Sequence, residues 1–206
     1  MRLGILGPAQ GDLRALAQGA RLLLDEGRAD RVLYLSDDDA LDHVVHTWAR
    51  GLVGPNPSES ALFARAAGCA GAGPEAIDAF VASEQARVRL RALASLPRGR
   101  RTIELLDSRV VLFVFDKATL DEEDIIAATV LVFGKGTAPL IKKVGPRTFL
   151  SPGPLGTEEG GAAILDDGGG GLRIEILNVR GVVTARETLG GPVHSAKMRV
   201  QGGSGG

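Results

Sequence analysis

The apolar positions of this chain follow two rhythms. As far as Pro97, short apolar runs alternate with segments of helical period. Residues 2–6 (RLGIL) read as a buried strand ending at Gly7-Pro8. Over residues 11–27, Leu13, Leu16, Ala17, Ala20, Leu23 and Leu24 fall at three-and-four spacing, one face of a helix stopped by Gly27. Residues 32–35 (VLYL) predict a second strand, and 39–52 a second helix that ends at Gly54-Pro55. Strand–helix–strand–helix order predicts parallel pairing with right-handed crossovers. Residues 58–67 read as a helix and 68–74 (GCAGAGP) as a loop. Residues 75–96 read as a long helix opened by Pro74 and closed by Pro97.

Beyond Pro97 the period becomes that of strands. Residues 101–106 and 109–115 predict a hairpin about Asp107-Ser108. A short helix over 121–127 leads to a strand at 129–133. Strands follow at 138–143, 147–150, 161–165, 172–177 and 180–187. This half holds too few helices for one doubly wound sheet. The expected fold is α/β: two mixed sheets packed face to face with helices outside. Residues 2–6, 32–35, 110–115 and 129–133 are expected in central positions. Residues 189–206, ending in GGSGG, read as a flexible Gly-rich tail, which leaves 1–188 as the folded domain.

Composition narrows the function classes. With 24 Lys+Arg against 25 Asp+Glu, the net charge of -1 gives no basic excess for nucleic acid. The one cysteine, Cys69, cannot form an intramolecular disulfide and fits a reducing compartment. No segment reaches the ~20 apolar residues of a membrane span. The expectation is a soluble cytoplasmic protein that binds neither nucleic acid nor membrane.

The stretch VLVFGKGTAPLI (130–141) carries the chemical question. An apolar strand runs into Gly134-Lys135-Gly136-Thr137, the place where α/β proteins put their chemistry, yet the loop holds no His, Asp, Glu or Cys. A phosphate-gripping loop needs a helix N-terminus behind it, and here another strand follows. The spacing of Gly4, Gly7 and Gly11 is not the dinucleotide fingerprint.

Over residues 1–188 the landmarks resemble the calcineurin-like metallophosphoesterases of the small bacterial phosphodiesterase type. Their fold is a four-layer α/β/β/α sandwich with two metal ions at the carboxyl ends of the strands. Where that family has Asp-x-His-Gly, this chain has Pro8-Ala9-Gln10-Gly11. Gly-Asp corresponds to Ser36-Asp37, and Gly-Asn-x-Asp to Gly68-Cys69-Ala70-Gly71. A strand-end His corresponds to Phe115, Gly-His-x-His to Gly134-Lys135-Gly136-Thr137, and Asn-Pro-Gly-Ser to Ser151-Pro152-Gly153-Pro154. The resemblance therefore implies a degenerate metal site at Pro8, Gln10, Asp37, Cys69, Phe115, Lys135 and Thr137, with Asp37 alone keeping a family ligand. It implies no bound metal, no cofactor and no catalytic residue.

Two readings follow. One is a pseudoenzyme that binds a protein partner or acts as a scaffold. The other is a residual or altered phosphoesterase that holds a phosphorylated small molecule at the former site. The resemblance further suggests that Lys135 pairs with Asp37 and that Pro8, Phe115 and Thr137 fill the space of the ions.

Other candidate residues have ordinary readings. Asp38, Asp39 and Asp42 sit where acids cap and charge-balance a helix N-terminus. Cys69 among glycines reads as a small residue rather than a reactive thiol. His43 and His46, three apart on one helix, lack a third ligand. Trp48 reads as core, and Pro97–Arg101 as a solvated basic connection.

Overall fold

The computed structural model describes residues 1–190. The chain begins β1 (Arg2–Leu6), α1 (Leu13–Arg21), β2 (Arg31–Tyr34), α2 (Ala40–Val53), α3 (Leu62–Cys69), α4 (Pro74–Arg89) and β3 (Leu93–Ser95). It continues β4 (Thr102–Leu106), β5 (Arg109–Val114), α5 (Glu122–Ala127), β6 (Val130–Phe133) and β7 (Leu140–Val144). The last strands are β8 (Arg147–Ser151), β9 (Ala162–Asp166), β10 (Gly171–Leu177) and β11 (Val183–Gly190). The strand β11 runs past the expected boundary at 188. The rest of the expected tail, from residue 191, lies outside the described residues.

Six strands form one sheet in the order β11-β10-β9-β1-β2-β3, and five form another in the order β4-β5-β6-β8-β7. In the first, β1, β2 and β3 are parallel, and β9, β10 and β11 join as an antiparallel meander. In the second, β5, β6 and β8 are parallel, flanked by the hairpins β4–β5 and β7–β8. The β4–β5 turn places Asp107 and Ser108 at φ 48° and 59°, the left-handed pair that a two-residue hairpin loop requires.

Alternation along the strands builds the layers. Leu3 and Ile5 of β1 meet Phe113, Val130, Val132 and Leu150 between the sheets. Leu6 and Tyr34 face the other way, onto Leu16, Ala20 and Leu23 of the first helical segment and Leu41 and Val44 of α2. On the far face, α5 and its neighbours cover Leu112 and Leu131. The result is the expected α/β/β/α sandwich.

Three local differences have physical causes. The long helix expected to run to 96 ends at Arg89, followed by one tight turn. Leu93–Ser95 instead extends the sheet, with Leu93 opposite Val32 and the Leu96 N–H donating to the Tyr34 carbonyl. A vacant sheet edge and two buried leucines outweigh helix propensity there. The first helix widens into a π-turn over Leu22–Glu26, which buries Leu22, Leu23 and Leu24 in succession. The apolar Ile77, Val81 and Val88 of α4 are exposed. That helix buries Glu84 and Arg87 instead. Glu84 accepts from Arg65 Nε at 2.6 Å and from Arg87 Nε at 2.7 Å, and both guanidinium groups also donate to carbonyls of the 56–58 loop.

Candidate functional site

The loops after β1, β2, β5 and β6 all leave at the carboxyl ends of their strands, and they enclose a cavity of about 350 Å³. Six of the seven positions singled out in the sequence line it: Pro8 and Gln10 after β1, Asp37 after β2, Phe115 after β5, and Lys135 and Thr137 after β6. Ser36, Asp38 and Gly136 complete the lining. Cys69 does not line it. It ends α3, half-buried, and that alignment carried no strand-end landmark. His43 and His46 are exposed on α2, and Trp48 packs half-buried on the helix-side core beneath the Arg21 guanidinium, 5.0 Å from the ring centre.

Glycines allow these loops to converge. A Cβ on Gly7 would lie 1.8 Å from the Gly153 carbonyl oxygen, and one on Gly134 would lie 2.1 Å from that of Leu35. Only hydrogen fits at either place. The Gly134 approach joins a loop of one sheet to a strand end of the other, which brings side chains from both sheets to one cavity.

A buried phenol fixes two of the loops. The Tyr34 hydroxyl accepts from the Ala9 N–H at 3.1 Å and donates to Asp38 Oδ2 at 3.2 Å. Asp38 also accepts from Ser36 Oγ at 2.8 Å and from the Ala40 N–H at 3.0 Å. Burial pushes the Tyr34 phenol above its ordinary pKa. Asp38 thus anchors the entry of α2, as an acid at that place should, although Asp39 makes no capping hydrogen bond.

Lys135 does not pair with Asp37 as the resemblance suggested. Its ammonium donates to Asp116 Oδ2 at 2.5 Å, and its N–H donates to the Phe115 carbonyl at 2.7 Å. Asp116 follows Phe115 directly and starts a short helical turn, accepting from the Ala118 N–H at 3.0 Å. It therefore arrives at the end of β5 with its carboxylate already oriented. The Lys135 hydrogen bond, then that of Ala118, holds Asp116 below its ordinary pKa, and Asp116 in turn raises that of Lys135. Asp116 and Tyr34 were not singled out as site residues. The only sequence signal was an acid next to a landmark in one case and an aromatic inside a strand in the other.

The cavity is also not filled, contrary to expectation. Phe115 is half-buried: it packs against the core between the sheets and also forms part of the cavity wall. As a donor set for two divalent cations these residues do not fit. Pro8 and Phe115 have no donor atom, Lys135 is a cation, and Asp37 is exposed with no hydrogen-bond or ion-pair partner among the described residues. Among the described residues no group of three or more His, Cys, Asp or Glu side chains could hold a metal ion.

Two packed mixed sheets with a site at their strand ends define a class, the phosphoesterase-type sandwich. Comparison with solved structures identifies that class. The chain superimposes on a conserved uncharacterized protein, a predicted phosphoesterase, from Streptococcus pneumoniae TIGR4 with TM-score 0.51 and 14% identity, over 91% of this chain and 97% of that one. A novel archaeal phosphodiesterase gives TM-score 0.45 at 12% identity, over 92% of this chain and 100% of that one. Vps29 of Chaetomium thermophilum gives 0.45 at 15%, over 91% and 95%. The first likeness carries the assignment, and what it establishes is the calcineurin-like phosphoesterase fold. No protein-family model matches the chain, and no curated protein matches it. No helix among the described residues is long and apolar enough to cross a membrane.

Proposed function

We propose that this chain is a non-catalytic, cytoplasmic member of the metallophosphoesterase-like proteins whose strand-end cavity binds a protein partner, with the sandwich through β11 as its working domain. The observation that carries the reading is the composition of the cavity. Four loops deliver Pro8, Gln10, Asp37, Phe115, Lys135 and Thr137 to one place. Two-metal hydrolysis needs oxygen and imidazole ligands that set the ions ~3.5–4 Å apart. Here one unpartnered carboxylate stands beside an ammonium, an amide, a hydroxyl and two side chains without donors.

The second reading keeps a residual phosphoesterase that grips a phosphorylated small molecule through Lys135, Gln10 and backbone N–H groups. The observation in its favour is that the cavity is open. Calorimetry with manganese and a bis-(p-nitrophenyl) phosphate assay separate the two. The first reading expects no stoichiometric manganese binding and no turnover. Micromolar manganese binding that disappears in Asp37→Ala, with metal-dependent turnover, would establish the second.

A further inference from the structure

The cavity's charges point to the chemistry of its occupant. Lys135 is the one basic side chain in the lining, and its charge is already matched by Asp116 at 2.5 Å. Lys117, the neighbouring cation, sits over the Phe133 ring at 4.7 Å from its centre. On the acidic side, Asp38 lies at the entry of α2 and accepts from the Tyr34 and Ser36 hydroxyls and the Ala40 N–H, with no cation paired to it among the described residues. Asp37 is exposed and has no hydrogen-bond or ion-pair partner among the described residues, although its charge reaches the Lys135 ammonium at longer range. The lining thus carries two carboxylates, Asp37 and Asp38, against the one ammonium of Lys135, and the unmatched charge is negative.

An anionic ligand would have to displace Asp116 from Lys135 and approach Asp37 at the same time. A cationic one meets an unpaired carboxylate, and in Phe115 it meets an aromatic wall in the same cavity. A guanidinium fits this combination better than an ammonium. Its planar fork can take both oxygens of a carboxylate while its face lies on an aromatic ring. The Gln10 amide oxygen, at the rim, can accept one of its remaining N–H groups.

We infer that the strand-end cavity receives an arginine side chain of a protein partner, with Asp37 as its ion-pair acceptor and Phe115 as its stacking surface. This rests on the proposed reading of the cavity as a protein-docking site, and it replaces "a partner" with one whose docking segment projects an arginine.

The test titrates the full chain, labelled with nitrogen-15, with an acetyl-Gly-Arg-Gly-amide peptide at constant ionic strength. Parallel titrations use the citrulline, lysine and phosphoserine counterparts, and separately manganese. The expected result is saturable amide shifts confined to the loops around Gln10, Asp37, Phe115 and Lys135 with the arginine peptide. Binding should be weaker with lysine and absent with the uncharged citrulline. Asp37→Asn, which keeps the shape, should weaken the arginine peptide about tenfold, the usual scale for a hydrogen bond to a charged group. Phe115→Leu should remove the preference for arginine over lysine. Shifts that persist unchanged in Asp37→Asn, or a citrulline peptide that binds as well, would overturn the inference. Absence of shifts with every peptide and with manganese overturns it too, while leaving the non-catalytic reading in place. Binding of manganese or of the phosphoserine peptide at these same amides overturns both.

Discussion

Lys135 and Asp116 join the ends of two neighbouring parallel strands, β6 and β5, through an ammonium–carboxylate hydrogen bond of 2.5 Å. A second link runs beside it, from the Lys135 N–H to the Phe115 carbonyl. Together they fix the spacing of the two loops on one side of the cavity without any group bridging it.

This pair has a definite dependence on pH. The Asp116 carboxyl is held below its ordinary 3.8, so its contribution is present at neutral pH and is lost as pH falls through that lowered value. The Lys135 ammonium is raised above 10.5, so on the alkaline side the bond persists past the ordinary lysine range and fails only above it. A carbon-13 titration should show Asp116 with a midpoint under 3.8 that moves up in Lys135→Ala. An unchanged midpoint would mean that the pair does not form in solution.

Tyr34→Phe should lower stability by about 1–3 kcal/mol. The Ala9 N–H, buried at 2% exposure, donates to the phenol oxygen and would lose its partner. Chemical denaturation measures the loss, and amide exchange at Ala9 should rise more than exchange in the strands. Equal stability of the two proteins would indicate that water takes over the role.

Two glycine substitutions should act in opposite directions. Gly7→Ala places a methyl 1.8 Å from the Gly153 carbonyl oxygen, against backbone that has little room to move, and should cost about 3 kcal/mol or more. Gly51→Ala, in the body of α2 with nothing within 4 Å, should stabilise by about 0.5–1 kcal/mol. Thermal melts of the pair give the sign of each.

Glu84→Gln should loosen α3 and the 56–58 loop from α4. It leaves two guanidinium groups, Arg65 and Arg87, largely buried without their counter-charge, at a cost of about 3 kcal/mol. The same contacts hold Glu84 below its ordinary 4.5, so wild-type protein should keep this packing until pH falls through that lowered value. Limited proteolysis in the 56–73 segment reads both effects. Resistance equal to wild type in the variant would show that packing alone holds the pair.

Returning two of the family's ligands to the open cavity should not return the chemistry. Pro8→Asp with Gln10→His gives Asp37 two further ligands but leaves Lys135 in place. The double variant should bind manganese weakly at best and should not turn over bis-(p-nitrophenyl) phosphate. Turnover would point to a site that needs only those two side chains.

Periodicity by itself determined most of the architecture. The spacing of leucines placed the first helix, the apolar runs placed β1, β2, β5 and β6, and Asp107-Ser108 marked its hairpin, because each of these signals is local. The strand-end landmarks named six residues that meet in one cavity, since a loop's place in chain order survives the loss of its ligands. Cys69 failed because its segment marks no strand end. What lay outside the sequence was set by neighbours distant along the chain. Leu93–Ser95 left the helical pattern because β2 offered an unpaired edge. Apolar Ile77 and Val81 stayed exposed while Glu84 was buried, because Arg65 and Arg87 converge on it. Lys135 chose Asp116 over Asp37 because parallel pairing of β5 and β6 brings their two loops side by side, a relationship that exists only once the sheet has formed.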